Sequence, residues 1–276
     1  MPSTTVITCA QLSRLTGLAD APALIDVRVD EDYAADPRLM PCALRHDHRH
    51  VAEWAGSYKG RSVIVSCQKG LKLSQGTAAW LRHEGIDAQS LEGGHVAWRD
   101  AGQLLVTTAK LPPRDASGRT VWVTRARPKV DRIACPWLIR RFVDPGAVFL
   151  YVAPAEVPAV AETFSATAFD IDGVFWSHRG EGCTFDTMLE ELGLHNDALD
   201  RLAQIIRGAD TDRLDLTPQS AGVLASLLGY SRMFKDDLAQ LDAAMTYLDA
   251  LYRWSRDAFA ETHDWEVGGP TRMTKS

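Results

Sequence analysis

The first hundred residues carry short apolar runs separated by helix-length segments, and this alternation limits the possible fold more than any other feature. Ala23-Leu24-Ile25-Asp26-Val27, Val63-Ile64-Val65-Ser66 and the run from Ala88 to Leu91 read as strands. The stretch from Gly76 to His83, stopped by Gly85, and the stretch from Val96 to Ala101 read as helices. Strands that alternate with helices run parallel, and a parallel sheet is covered on both faces. The expected fold of this part is α/β, a parallel sheet flanked by helices.

The strand over 63–66 leads directly into Cys67-Gln68-Lys69-Gly70-Leu71-Lys72-Leu73-Ser74, with a helix expected to begin near Ser74. Loop amides and a helix N-terminus turned toward one sulfur favour the thiolate, and the same loop is a cradle for an anion. A lone cysteine after a strand is usually a small buried hydrophobe. Here two lysines follow it, which a core cysteine does not need. Cys67 is therefore the candidate nucleophile, with Lys69, Gly70, Lys72 and Ser74 as candidate substrate-binding residues.

A chain of 276 residues has room for two domains. With 46% hydrophobic and 24% charged residues it has the composition of a soluble globular protein. A net charge of −6 argues against non-specific nucleic-acid binding. No apolar run approaches the roughly 20 residues of a membrane helix. The segment from Met1 to Ile7 lacks the basic-then-apolar order of a secretion signal. Five widely spaced cysteines, an odd number, fit reduced thiols in a cytoplasm.

Between 103 and 119 the alternation is lost, and the Pro-, Gly- and charge-rich stretch 110–119 is the expected linker. The expected domains are 1–105 and 119–265, the second being α+β and mainly helical. It opens with a strand at Val121-Trp122-Val123, followed by a helix over 131–142 and strands over 147–152 and 168–171. Helices dominate from Thr184. Leu238, Leu241, Met245, Leu248, Tyr252 and Phe259 fall near helical spacing and read as a core face.

Two stretches of this second part carry charge in a pattern. The first, 125–142, holds six basic residues against one acid, Asp131. Arg125, Arg127 and Arg132 are its candidate anion-binding residues. Either Asp131 caps a helix, or Pro136 takes the first helical position and leaves Cys135 beside the N-terminus. The plainer reading is a packed cysteine on a helix with exposed arginines. In the second stretch, Thr184 reads as a helix N-cap with Asp186 in the first turn, and capping alone accounts for both. The other reading brings His178, Asp186 and the distant Asp210 onto a metal ion, since imidazole and carboxylate suit iron, manganese or zinc. His46, His48 and His50 alternate within a charged run that reads as a solvated loop.

Leu24-Ile25-Asp26-Val27-Arg28, the Cys67 loop and Leu91-Glu92-Gly93-Gly94-His95-Val96-Ala97-Trp98 together resemble the rhodanese family of sulfurtransferases. The resemblance implies a rhodanese-like parallel sheet and a cysteine that carries sulfur as a persulfide. It also implies that Asp26 and Arg28 serve the structure near the loop, as a buried ion pair or a cap. Lys72 stands where the family pattern Cys-x-x-Gly-x-Arg-Ser has arginine, and Ser74 comes one residue late. Residues 131–142, the segment from Phe169 to Asp186 and Ala209-Asp210 resemble the C-terminal domain of the ChrB (chromate-resistance) family, over about 120–260. Members that act as chromate-responsive regulators have a different N-terminal region.

The expected function is a cytoplasmic sulfurtransferase fused to a chromate-resistance domain. The alternative is a sensor that binds chromate or a metal without turnover. Expected partners are a small-molecule sulfur donor or oxyanion, with neither nucleic acid nor membrane, and the oligomeric state is left open. The residues call for no cofactor beyond an optional metal ion in the second domain.

Overall fold

A computed structural model describes residues 5–261, so the outer ends of both expected domains, 1–4 and 262–265, lie outside the described residues. The N-terminal part comprises β1 (Val6–Ile7), α1 (Cys9–Leu15), β2 (Ala23–Asp26), α2 (Asp30–Ala35), β3 (Arg38–Leu39) and β4 (Leu44–Arg45). It continues with α3 (Val51–Trp54), β5 (Val63–Ser66), α4 (Lys72–His83), β6 (Ala88–Leu91), α5 (Gly94–Asp100) and β7 (Val106–Thr107). Five strands form one parallel sheet in the order β1-β6-β5-β2-β4, with β5 at its centre.

Every residue of β2 and β5 is buried, because apolar layers cover both faces. Ile25, Val63 and Val65 pack with Ala78 and Leu81 of α4 on one side. Leu24 and Ile64 pack with Leu12 of α1 and Trp98 of α5 on the other. Burying one such aliphatic side chain stabilises by about 1.5–3 kcal/mol, so the central strands hold the sheet together. Helices α4 and α5 each begin two residues before the expected starts at Ser74 and Val96. Antiparallel pairing of β7 with β3 forms a separate two-stranded sheet. The linker stretch carries no long element, yet it is tied down: Arg114 meets Asp144 at 3.2 Å, and Asp115 holds Arg119 at 2.8 Å.

The C-terminal part comprises β8 (Val121–Arg125), α6 (Asp131–Leu138), β9 (Val148–Val152), α7 (Val157–Thr163) and β10 (Thr167–Ala168). Four helices follow: α8 (Thr184–Leu192), α9 (Asp197–Asp210), α10 (Ser220–Met233) and α11 (Asp237–Arg253). The strands form a parallel sheet, β10-β8-β9. Its core centres on Trp122, Trp137, Phe142, Phe169 and Phe185, all fully buried. The mixed, mainly helical character agrees with the sequence expectation.

Several local expectations change here. The helix expected over 131–142 is α-helical only to Leu138 and then widens into a π-turn, Ile139–Val143. Pro136 lies inside α6 rather than at its first position. Proline has no N–H for the carbonyl of residue 132. The Tyr151 hydroxyl supplies the missing donor, reaching the Arg132 carbonyl at 2.8 Å. Cys135 is thus a mid-helix core residue, and burial pushes its thiol well up. Strand β10 ends at Ala168, short of Ile171, because Asp170 takes a left-handed backbone (φ 51°). On the expected apolar stripe, Leu241, Met245, Leu248 and Tyr252 are buried, whereas Leu238 and Phe259 are exposed. Leu238 lies in the first turn of α11 and Phe259 beyond its end, where the helix no longer faces the core.

Candidate functional site

Cys67 sits at the carboxyl end of β5, the central strand, and α4 begins five residues later. In parallel α/β sheets this is where ligands bind. The Cys67 sulfur lies 3.2 Å from the Ser74 hydroxyl, which lies 3.2 Å from the Leu71 carbonyl. Ser74 is thus inside the first turn of α4, packed on the sulfur. Among the described residues, the amides of Gln68, Lys69, Gly70 and Leu71 donate no hydrogen bond to the protein. Successive amides without an acceptor, leading into a helix N-terminus, are the usual material of an anion cradle. Lys69 and Lys72 are exposed at its rim, and neither is paired with an acid among the described residues. Cys67 itself is only 5% exposed, so a reactant must reach the sulfur end-on.

The turn after β6 shapes this loop. The His95 amide donates to the Cys67 carbonyl at 2.9 Å, and the Val96 amide to that of Gln68 at 3.1 Å. Gly94 adopts φ +60°, and a Cβ there would stand 2.2 Å from the Cys67 carbonyl oxygen and 2.4 Å from the Gly70 nitrogen. Gly70, at φ +67°, faces the same turn, where a Cβ would meet the Gly93 and Gly94 nitrogens at 2.7 Å. Two backbones touch here, and only glycine leaves room.

Asp26 and Arg28 form the ion pair expected of them, buried below the loop's strand neighbours at 2.6 Å. Arg28 also donates to the carbonyls of Asp36 and Arg38 at 2.9 and 2.8 Å. Asp36, gripped by Arg38, has its carboxyl held well below the usual range. It accepts from His95 at 3.1 Å, and burial draws that imidazole's pKa down. Of the three alternate histidines, His46 stacks on Trp54 and meets the Tyr58 hydroxyl at 2.8 Å, a packing role.

A second constellation forms in the C-terminal part. His178 Nε2 lies 3.1 Å from Asp210 Oδ2, 3.5 Å from Asp131 Oδ2 and 3.5 Å from Asp170 Oδ1. Asp131 is the first residue of α6, just beyond β8, and Asp170 follows β10; Asp210 ends α9. Two of the four residues therefore sit beyond the carboxyl ends of parallel strands, as Cys67 does. The site is buried on its carboxylate side and open at His178, whose side chain is 41% exposed. Burial and the charges of Asp131 and Asp170 push Asp210 up to about 7. The contact with Asp131, and the surrounding carboxylate charge, raise His178 to about 9.

Sequence reasoning placed His178 and Asp210 together, and the structure does so. Asp186 is elsewhere: its oxygens take Arg207 at 2.8 and 2.9 Å and the Cys183 amide at 2.9 Å. Cys183, not Thr184, is the N-cap of α8, and Asp186 completes its capping box. Asp131 and Asp170 were missed as members of the cluster. A polar residue just beyond an apolar parallel strand was the available signal for both. The basic stretch does not form an open anion site. Arg127 binds Asp237 and the carbonyls of Ser231 and Phe234, because it clamps the turn before α11. Arg132 and Arg125 face Asp170 at 3.2 and 3.6 Å, so their charge is spent on a buried acid. Arg140 and Arg141 pair with Asp242 and Asp249 of α11.

Among the described residues, no helix is long and apolar enough to cross a membrane. Residues 122–255 match the family model for the ChrB C-terminal domain. Protein ChrB of Cupriavidus metallidurans is 38% identical over 146 residues, covering 51% of this chain and 43% of that protein. The chain thus spans less than half the length of this curated relative. Solved structures similar to part of this chain include a rhodanese-like domain protein from Staphylococcus aureus, 29% identical. That match covers 34% of this chain and 90% of the other, with a TM-score of 0.30. A protein of unknown function from Rhodopseudomonas palustris, described as a possible tyrosine phosphatase, is 22% identical over 37% of this chain and 83% of its own, with a TM-score of 0.34. The C-terminal part of this chain is thus similar to the ChrB C-terminal domain over residues 122–255.

Proposed function

We propose that the N-terminal unit is a sulfurtransferase in which Cys67 carries sulfur as a persulfide. One observation carries the reading: a cysteine at the end of the central strand, followed by four amides without an acceptor among the described residues and by a helix N-terminus. The thiolate is the attacking form of a cysteine. Its sulfur attacks the terminal sulfur of an anionic donor such as thiosulfate. A bond forms between Cys67 Sγ and that sulfur, the donor S–S bond breaks, and sulfite leaves with the bonding pair. An acceptor thiolate then attacks the outer sulfur, takes it, and releases Cys67 as thiolate. One sulfur atom moves in each step, and no external oxidant or reductant is consumed. The loop amides with Lys69 and Lys72 stabilise the charge on donor, leaving group and persulfide. Lysine supplies a point charge where arginine would clamp two oxygens, which suits a donor not held in a bidentate grip.

The similarity of residues 122–255 to the ChrB C-terminal domain supports a role for this activity in chromate resistance. Chromate, sulfate and thiosulfate are all tetrahedral dianions, so one amide-and-cation cradle accepts each. The burial of Cys67 favours one alternative, an oxyanion held by the loop without turnover. Intact-protein mass spectrometry after incubation with thiosulfate separates the two. Sulfur transfer requires a gain of one sulfur atom on the wild type, none on Cys67→Ser, and loss of turnover in that variant. Oxyanion binding without any sulfur adduct would support the alternative.

A further inference from the structure

We infer that the C-terminal part binds one divalent cation of the manganese or ferrous class, centred on Asp131, Asp170 and His178, whose ligand atoms lie within 4.8 Å of one another, with Asp210 beside His178 completing the acidic wall. The inference is independent of the chemistry at Cys67. Ligands that share an ion at about 2.1 Å stand roughly 3–4 Å apart. The His178 nitrogen meets one oxygen of each of the three carboxylates within that span, at 3.1, 3.5 and 3.5 Å.

A group of acids alone would be weak ground, since such groups are often only solvated. This group has an orphan. Asp131 is 1% exposed, and its Oδ1 meets no hydrogen-bond donor among the described residues. A buried carboxylate oxygen left bare is costly, and a bound cation is a direct remedy. The partners of the other oxygens are those of a supporting layer. The Thr184 amide holds Asp131 Oδ2, the Thr184 hydroxyl holds Asp170 Oδ1 at 2.9 Å, and the Asp131 amide holds Asp210 Oδ1 at 3.2 Å. Arg132 and Arg125 both address Asp170. Asp131 and Asp210 therefore have no cationic partner except His178 among the described residues.

The donor chemistry selects the metal. Three carboxylates and one imidazole form a mostly hard set, suited to manganese or ferrous iron rather than to thiophilic ions. No thiol joins the group, since Cys135 and Cys183 are buried core residues. His178, the exposed member, marks the side from which an ion and its remaining water ligands enter.

The test is titration of Mn2+ into the full chain after chelator treatment and removal of the chelator, read by loss of the sharp spin-resonance signal of free aquo-Mn2+. The expected result is one equivalent bound, with affinity reduced at least tenfold in His178→Ala and in Asp210→Asn. Circular dichroism checks that both variants are folded, and the exposed His178 keeps the test open if a buried acid variant fails to fold. Asp186→Asn retains wild-type affinity. Absence of Mn2+ binding to the folded wild type would overturn the inference, as would binding that neither His178→Ala nor Asp210→Asn weakens.

Discussion

The two sites of this chain stand at equivalent places and are made of different material. Each lies beyond the carboxyl ends of parallel strands. The Cys67 loop is built almost entirely from backbone: a run of consecutive residues, four amides without an acceptor among the described residues, and a contact with the turn over 93–94 that only glycine permits. The acidic cluster is built from side chains, contributed by α6, the end of β10, the loop before α8 and the end of α9. A backbone site withstands most side-chain changes and fails when its glycines acquire a Cβ. A side-chain site fails one residue at a time. In the first part a buried acid, Asp26, is held by Arg28 two residues on; in the second the half-buried Asp186 is held by Arg207 of α9.

That contrast can be broken by substitution. Asp26→Ala should have the largest effect, because it leaves the buried Arg28 guanidinium without its counter-charge. Loss of one partner of a buried pair costs about 3–5 kcal/mol. Denaturant unfolding should show that loss, and an unchanged midpoint would mean the pair is dispensable to the sheet. Gly94→Ala should come next. Holding a non-glycine residue at a left-handed backbone costs about 1–3 kcal/mol, before the clash with the Cys67 carbonyl is counted. Sulfur transfer should fall with it, while Mn2+ binding to the second part stays at the wild-type level. Equal loss at both sites would show that the two are not built independently.

The pH response of the buried histidines should be smaller. Burial lowers the pKa of His95 and His46 below the ordinary 6.5. At these two residues the unfolded chain binds more protons than the folded one, so their contribution is complete above about 6.5 and falls as pH drops below it. His178 and Asp210, whose pKa values are raised, act in the opposite direction, so His95 is read by difference. The thermal midpoint of the wild type minus that of His95→Gln should fall from pH 8 to pH 5, and a difference that grows on acidification would contradict the burial argument. Asp186→Asn should have the least effect. Its partly exposed pairing with Arg207 is worth on the order of 1 kcal/mol, and Mn2+ affinity should not move. A large loss of affinity would return Asp186 to the metal site from which the structure separates it.

Much of the first part was legible beforehand. The strands over 63–66 and 88–91 occur where the apolar runs predicted them, the expected Asp26–Arg28 ion pair forms, and Cys67 falls at the strand end. These features rest on neighbours in the chain: a fully apolar run is a buried strand, and a loop that follows it must leave from its end. The second part was less legible. The structure brings His178 and Asp210 together, whereas it gives Asp186 the capping role that alone accounts for it and turns Asp131 toward a helix other than its own. Asp131 does cap a helix, but it is α8, more than fifty residues away.

By itself, the sequence determined the alternation of strands and helices, the position of the cysteine loop and the glycine pair that lets two backbones meet. These are local consequences of hydrophobic period and of the missing Cβ. Only the tertiary structure decided which acids face His178 and which arginines are already paired. Those choices depend on distances between segments far apart in the chain, and electrostatic energy depends on such distances and on burial rather than on spacing along the sequence.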